Sequence, residues 1–88
     1  MSDDAHVDGN AAGGMLAEAF GADMTAVRGC CAGCGAVNPI ASLITYTRAP
    51  GAVLRCPGCG IVMLVAVAMP GGVRVSVAAL RWLEPVAG

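Results

Sequence analysis

One pattern, Cys-x-Gly-Cys-Gly, occurs twice in this chain, as Cys31-Ala32-Gly33-Cys34-Gly35 and as Cys56-Pro57-Gly58-Cys59-Gly60. Two residues between the cysteines let the backbone curl until both sulfurs face one ion, and the following glycine accommodates a positive φ. The 21 residues between the two units suffice for a strand, a hairpin turn and another strand, which would return the second unit to the first. The pattern therefore predicts one metal site with the ligands Cys31, Cys34, Cys56 and Cys59.

Zinc is the metal that this donor set favours. Zn²⁺ accepts four thiolates in a tetrahedron without redox chemistry, and four sulfur ligands leave no position for a catalytic water. We therefore expect one Zn²⁺ per chain, with iron at the same sulfurs as the minority alternative and a disulfide or free thiols after that. Cys30 stays outside the predicted ligand set, because its distance from Cys34 breaks the two-residue gap that Cys56 and Cys59 repeat.

The length and the N-terminus suggest a small cytoplasmic domain. A chain of 88 residues allows one domain at most, and so small a core usually needs a metal, a disulfide or a partner. The first residues, Met1-Ser2-Asp3-Asp4, contain neither the basic nor the apolar region of a secretory signal. The longest apolar run, residues 61–69, is 9 residues long, whereas a membrane helix needs roughly 18 or more. We expect a cytoplasmic protein with reduced thiols and no membrane contact.

The N-terminal third is predicted to hold a tail and one helix. Residues 1–8, which include His6, lack periodicity and are expected to form a disordered acidic tail, followed by a single zinc-ribbon domain at 9–85. Asn10 is expected to cap a helix over about residues 10–20, and Gly21 to end it in the left-handed conformation. One apolar face of this helix should pack on the ribbon, formed by Met15, Leu16, Ala19 and Phe20.

The remainder has the composition of β-structure. Short runs rich in Val, Ile, Thr and Leu predict five strands, near 24–30, 41–47, 52–56, 61–69 and 73–82. Pro-Gly pairs at Pro50-Gly51 and Pro70-Gly71 predict hairpin turns. The strand at 61–69 does not alternate, so both its faces should be covered, by the helix or by a second chain. Trp82 is expected in the core. The predicted fold class is a small β-rich zinc ribbon of antiparallel hairpins plus one short N-terminal helix.

Charge and residue types narrow the function. From residue 24 onward five arginines face one glutamate, a net charge of +4, which a tetrathiolate zinc site lowers to about +2. A net charge of about +2 is small for a nucleic-acid binder. The chain has three aromatic residues, which are too few and too far apart in the sequence to form a surface on which bases could stack. Arg28 and Arg55 precede the two cysteine units, and we expect them to neutralise the metal cluster rather than to present charge to a phosphate. No catalytic triad, carboxylate pair or phosphate loop is present, so we expect no enzyme.

The expected function is a non-catalytic structural-zinc protein that acts as a small adaptor or protein-interaction module, with a protein partner or a second copy of itself. Two alternatives stay open. One is a rubredoxin-like electron carrier with a single iron, although such proteins pack aromatics around the metal and none adjoins either cysteine unit here. The other is a nucleic-acid-associated zinc ribbon of the transcription type.

The sequence resembles a family of small uncharacterised bacterial proteins with a zinc-ribbon-like fold, classed as a domain of unknown function. The likeness covers nearly the whole chain from residue 8. The matching pieces are 8–11, Thr25-Ala26 and Arg28-Gly29 ahead of Cys31-x-x-Cys34, Arg48-Ala49-Pro50-Gly51, 54–60 and Leu80-Arg81-Trp82-Leu83. The resemblance implies the ribbon fold and the metal, and implies no particular activity.

Overall fold

The computed structural model describes residues 9–48 and 50–84. A 3₁₀ turn, Gly9–Ala12, leads into helix α1, Gly13–Phe20. Seven strands follow: β1 Arg28–Cys31, β2 Val37–Pro39, β3 Ile44–Arg48, β4 Gly51–Arg55, β5 Val62–Met69, β6 Gly72–Val77 and β7 Leu80–Glu84. A second 3₁₀ turn, Ile40–Ser42, lies between β2 and β3. The predicted tail at 1–8, His6 and the predicted domain end at residue 85 lie outside the described residues.

The helix is shorter than predicted. It begins at Gly13 with Ala12 as its N-cap and no side-chain cap, so the predicted N-cap at Asn10 is wrong. The reason is the close packing of the preceding turn: a Cβ on Gly9 would lie 1.8 Å from the carbonyl oxygen of Ile40, so this backbone contact requires glycine. The predicted end is confirmed, because Gly21 has a φ of +75° and its N–H donates to the carbonyl of Ala17.

The strands form two antiparallel sheets, in the orders β2-β1-β7 and β3-β4-β5-β6. Both predicted hairpin turns are confirmed, one between Arg48 and Gly51 and one between Met69 and Gly72. At the second turn Gly71 has a φ of +93°, a conformation in which a Cβ would clash with the backbone. The two turns therefore fix the register of β3 against β4 and that of β5 against β6.

Three strand predictions need correction. The predicted strand at 73–82 is two strands, β6 and β7, which belong to different sheets. The chain changes sheet at Ala78 and Ala79, whose N–H groups donate to the carbonyls of Met63 and Val62. The predicted strand at 24–30 begins only at Arg28, and the one at 41–47 begins only at Ile44, because the second 3₁₀ turn precedes it. Strand β2 was missed because its three residues, with a proline at the end, become a strand only through pairing with β1.

The helix covers one face of the four-stranded sheet. Leu16, 1% exposed, packs into one core with buried side chains of β4 and β5, among them Leu54, Leu64 and Ala66. Met15 packs against this core, but Ala19 and Phe20 are exposed, so the predicted apolar face is only half used. The opposite face of β5 carries Val65 and Val67, both half-buried. Within the described residues no element of the chain covers this face, so the helix accounts for one face only and cover of the other by a second chain stays a prediction.

Trp82 is also placed differently from the prediction. It lies in β7, an edge strand, opposite Cys30, and is 42% exposed rather than in the core. The neighbouring β7 residue Leu83 has the opposite orientation and packs against the core. Alternation along an edge strand therefore gives the inward position to leucine and the outward one to tryptophan.

Candidate metal centre

Each Cys-x-Gly-Cys-Gly unit folds into the same tight turn, which we call a knuckle: the first knuckle is residues 31–36 and the second is residues 56–61. In the first, the N–H of Gly35 donates to the carbonyl of Cys31 at 2.9 Å; in the second, Gly60 donates to Cys56 at 2.8 Å. Gly35 and Gly60 have φ angles of +79° and +82°. The glycine at the fifth position is therefore required by backbone conformation.

A sixth residue closes each knuckle. The N–H of Cys31 donates to the carbonyl of Ala36, and the N–H of Cys56 donates to that of Ile61, both at 2.9 Å. Sequence reasoning missed these two residues. Their shared apolar character directly after the second glycine is the only signal that the sequence carries for them.

The two knuckles belong to different sheets. The first joins β1 to β2 in the three-stranded sheet, and the second joins β4 to β5 in the four-stranded sheet. The predicted strand, turn and strand between them is in fact β2, a 3₁₀ turn, β3 and β4. The cysteines therefore come together at the junction of the two sheets, close to the segment where β6 passes into β7, since Ala32 donates to the carbonyl of Ala79 at 3.0 Å.

The structure brings together the four cysteines that the sequence singled out. The Sγ atoms of Cys31, Cys34, Cys56 and Cys59 all lie within 4.8 Å of one another. The Sγ atoms of Cys31 and Cys59 are 3.7 Å apart, and those of Cys34 and Cys56 are 3.6 Å apart. Four sulfurs at about 2.3 Å from a tetrahedral ion would be separated by about 3.8 Å. The donor set and its spacing therefore fit a single tetrahedral metal ion.

Each short sulfur pair joins one buried cysteine to one exposed cysteine of the other knuckle. Cys31 and Cys56 are buried, whereas Cys34 and Cys59 are exposed. None of the five cysteines is in a disulfide. The cluster thus has an inner side against the core and an outer side at the surface.

Backbone amides point at the inner sulfurs. The N–H of Gly33 donates to Cys31 Sγ and that of Gly58 donates to Cys56 Sγ, both at 3.3 Å. Burial raises the pKa of Cys31, but hydrogen bonds from the amides of Cys34 and Gly33 and from the thiols of Cys59 and Cys56 outweigh it and lower this pKa to about 7. The site therefore already stabilises a thiolate at Cys31.

The same crowding has the opposite effect on Cys34. The amide of Ala36 favours its thiolate, but the sulfur of Cys56, burial, and the sulfurs of Cys59 and Cys31 together raise the pKa of Cys34 to about 11. Four thiolates cannot share so small a volume without a cation between them. A bound cation would supply the missing charge and displace the remaining protons.

The two arginines near the knuckles have different roles. The guanidinium of Arg55 donates to the carbonyl of Gly60 at 2.9 Å and so lies against the second knuckle. Arg28 is directed elsewhere, because it forms an ion pair with Glu84 of β7. The expectation that both arginines neutralise the cluster is therefore wrong for Arg28. Arg28 pairs instead with the oppositely charged residue that faces it on the neighbouring strand β7.

Cys30 lies outside the cluster. It is buried in β1, and its Sγ is 3.7 Å from the carbonyl oxygen of Gly35 and 3.8 Å from that of Cys31. Successive side chains of a strand point to opposite faces, and only Cys31 of the two adjacent cysteines reaches the cluster. The structure therefore separates the fifth cysteine from the other four.

Comparison with models of known protein families shows which family the chain belongs to. A family model described as "Family of unknown function (DUF6510)" matches residues 3–87. The chain belongs to this family. No curated protein and no solved structure matches it significantly. Membership in the DUF6510 family confirms the resemblance noted from the sequence motifs, and the zinc-ribbon class and the bacterial origin stay predictions. Within the described residues, no helix has the length and apolar character needed to cross a membrane.

Proposed function

We propose that this DUF6510 protein is a non-catalytic zinc protein of the zinc-ribbon type, in which one Zn²⁺ holds two small sheets together and thereby presents a protein-interaction surface. The observation that carries the proposal is the convergence of four cysteine sulfurs, two from each sheet, within 4.8 Å. Zn²⁺ would be held by Cys31, Cys34, Cys56 and Cys59, and it would supply a structural cross-link with no redox chemistry.

The size of the chain explains why such a cross-link is needed. A domain of this length buries too little apolar surface to be stable by a wide margin. Each sheet alone is small, and the three-stranded sheet contains strands of only three to five residues. Zinc bound to four thiolates contributes on the order of 10–16 kcal/mol at neutral pH, comparable to the whole stability of a small domain.

The same donor set argues for a role without catalysis. With four sulfurs around the ion, no coordination position is left for a water or a substrate. The chain contains a single histidine, His6, far along the sequence from the cysteines. Binding to another protein is the function that a small, rigid, zinc-stabilised fold serves directly.

A one-iron electron carrier is the second candidate, and the exposure of Cys34 and Cys59 favours it. Two sulfurs at the surface offer a short path for an electron, and N–H donors at Cys31 and Cys56 Sγ would tune the potential of an iron site. The aliphatic side chain of Ile61 lies close to Gly33 of the first knuckle.

Metal analysis separates the two candidates. The protein is purified from cells grown without added metal, and its metal content and visible spectrum are measured. A colourless protein with one zinc per chain is expected; a red protein with one iron per chain would overturn the zinc proposal. Chromatography of native lysate should then place the zinc-loaded chain in a complex with a protein partner, and elution only as the isolated chain would overturn the adaptor proposal.

A further inference from the structure

The four-stranded sheet has a second face, turned away from α1, that the metal centre does not use. In register, Tyr46 of β3, Val53 of β4 and Val65 of β5 stand side by side on this face, with Ser76 of β6 beyond them. Neighbouring strands are about 4.8 Å apart, so this row is about 14 Å long. Tyr46 is 37% exposed and the two valines are half-buried. We call this surface, together with Val67 and the arginines below, the outer face.

Arginines stand on both sides of this apolar row. Arg55 lies two residues beyond Val53 on β4, and its guanidinium is 5.8 Å from the centre of the Tyr46 ring. On the other side, Arg48 and Arg74 lie in the next row, in register with Gly51 and Val67. Two residues along a strand span about 7 Å, so the cations flank the apolar floor at about that distance.

The outer face carries no carboxylate among the described residues. Glu18 lies on α1, which packs on the opposite face of the sheet, and Glu84 is paired with Arg28 in the other sheet. Asp23 follows α1 and accepts hydrogen bonds from the backbone N–H and the hydroxyl of Thr25. That pair is the one ion pair found in residues 9–48 and 50–84. Three of the five arginines of the chain thus share one apolar surface without a carboxylate to pair with in that part of the chain.

We propose that the outer face binds an acidic segment of a partner protein, whose apolar side chains cover Val53, Val65 and Val67 and whose carboxylates pair with Arg48, Arg55 and Arg74. This inference rests on the proposed function and names the chemistry of the partner. Half-buried valines in a strand without alternation supply the apolar area, and the surrounding cations select for negative charge.

Two other occupants fit the same surface less well. A nucleic acid would stack its bases on aromatic side chains, and the floor of the outer face is aliphatic except for Tyr46. A second copy packed on this face across a two-fold axis would bring the same three arginines against one another, because such an interface pairs identical surfaces. Repulsion between like charges opposes that arrangement.

The test selects peptides that bind the chain and asks which residue types they contain. The zinc-loaded full chain is immobilised and panned against a displayed library of random peptides. We expect selected peptides in which aspartates or glutamates alternate with apolar residues. An R48E/R74E variant should bind a selected peptide about tenfold more weakly or worse in fluorescence anisotropy, because two pairings become two repulsions. The matched control is R81E, whose exposed arginine lies in β7 of the other sheet and which should bind like wild type.

Each other outcome overturns the inference. Peptides without acidic residues, or peptides bound equally by R48E/R74E, would show that the outer face is not the site, while the adaptor proposal would stand. Tight binding of a thymidine oligonucleotide, lost in R48E/R74E, would assign the face to nucleic acid. A full-length D3N/D4N/D8N variant that binds acidic peptides far better than wild type would show that the N-terminal residues of the chain occupy the face themselves.

Discussion

Replacing Cys59 by serine tests the metal centre most directly, because Cys59 is exposed. An exposed position outside any special feature changes stability by at most about 0.5 kcal/mol when it is substituted. Without a bound metal, loss of the Cys59 sulfur should therefore be nearly neutral. With zinc bound, the same change removes one of four ligands.

The magnitude follows from the size of the site and of the chain. If zinc contributes on the order of 10–16 kcal/mol through four sulfurs, one ligand accounts for about 2.5–4 kcal/mol. The stability of the 88-residue chain is about 4–13 kcal/mol, at about 0.05–0.15 kcal/mol per residue. Cys59→Ser should therefore lower the free energy of unfolding by about 2.5–4 kcal/mol, a large part of the stability of the chain, and lower the zinc content well below one per chain.

The assay is urea unfolding followed by far-UV circular dichroism, with zinc content measured on the same samples. Cys30→Ser is the matched control: Cys30 is buried but lies outside the cluster, so this variant should lose about 1–3 kcal/mol for burying a hydroxyl and keep its full zinc content. A Cys59→Ser protein with the stability and metal content of wild type would refute the reasoning.

Three further predictions concern the knuckles, pH and the core. Gly60→Ala should cost about 1–2 kcal/mol because φ is +82°, whereas Gly58→Ala, with its nearest atoms at 3.6 Å and no positive φ, should be nearly neutral; urea unfolding of the zinc-loaded variants compares them. Because the pKa of Cys34 is raised to about 11 and that of Cys31 is lowered to about 7, zinc binding must release protons at neutral pH. In a competition with a chelator, the apparent zinc affinity should fall as the pH is lowered through about 7. A zinc affinity independent of pH would contradict the thiol cluster. Leu16→Ala should cost about 2–5 kcal/mol because Leu16 is fully buried under the sheet, while Phe20→Ala on the same helix, with Phe20 45% exposed, should cost far less; equal losses in thermal unfolding would show that α1 does not dock as described.

The knuckles and the hairpin turns could be predicted from the sequence because their determinants are local. A glycine at the fifth position of each knuckle, Gly71 in the second hairpin and Gly21 after the helix all act through a positive φ, which depends on one residue and its neighbours. The repeat of Cys-x-Gly-Cys-Gly likewise identified the four cysteines that the structure brings together, since two copies of one local turn imply one shared site.

The sequence did not predict the N-cap, some of the strand boundaries or the exposure of single side chains. Asn10 has the chemistry of a cap, but it lies inside the 3₁₀ turn Gly9–Ala12, whose first residue packs against the backbone of Ile40. Val73 to Trp82 has the composition of one long strand, and the change of sheet at Ala78 and Ala79 depends on carbonyls of β5, a distant segment. Trp82 is apolar enough for a core, yet β7 is an edge strand.

The sequence by itself determined the turns, the helix end and the set of four sulfurs, because each depends on backbone preferences within about six residues. Tertiary structure alone decided that the two knuckles come from different sheets, that Arg28 pairs with Glu84 while Arg55 stays at the second knuckle, and that three arginines share the outer face. Those features arise from pairing between strands far apart in the chain, and such pairing follows from how all the strands pack together rather than from any one segment.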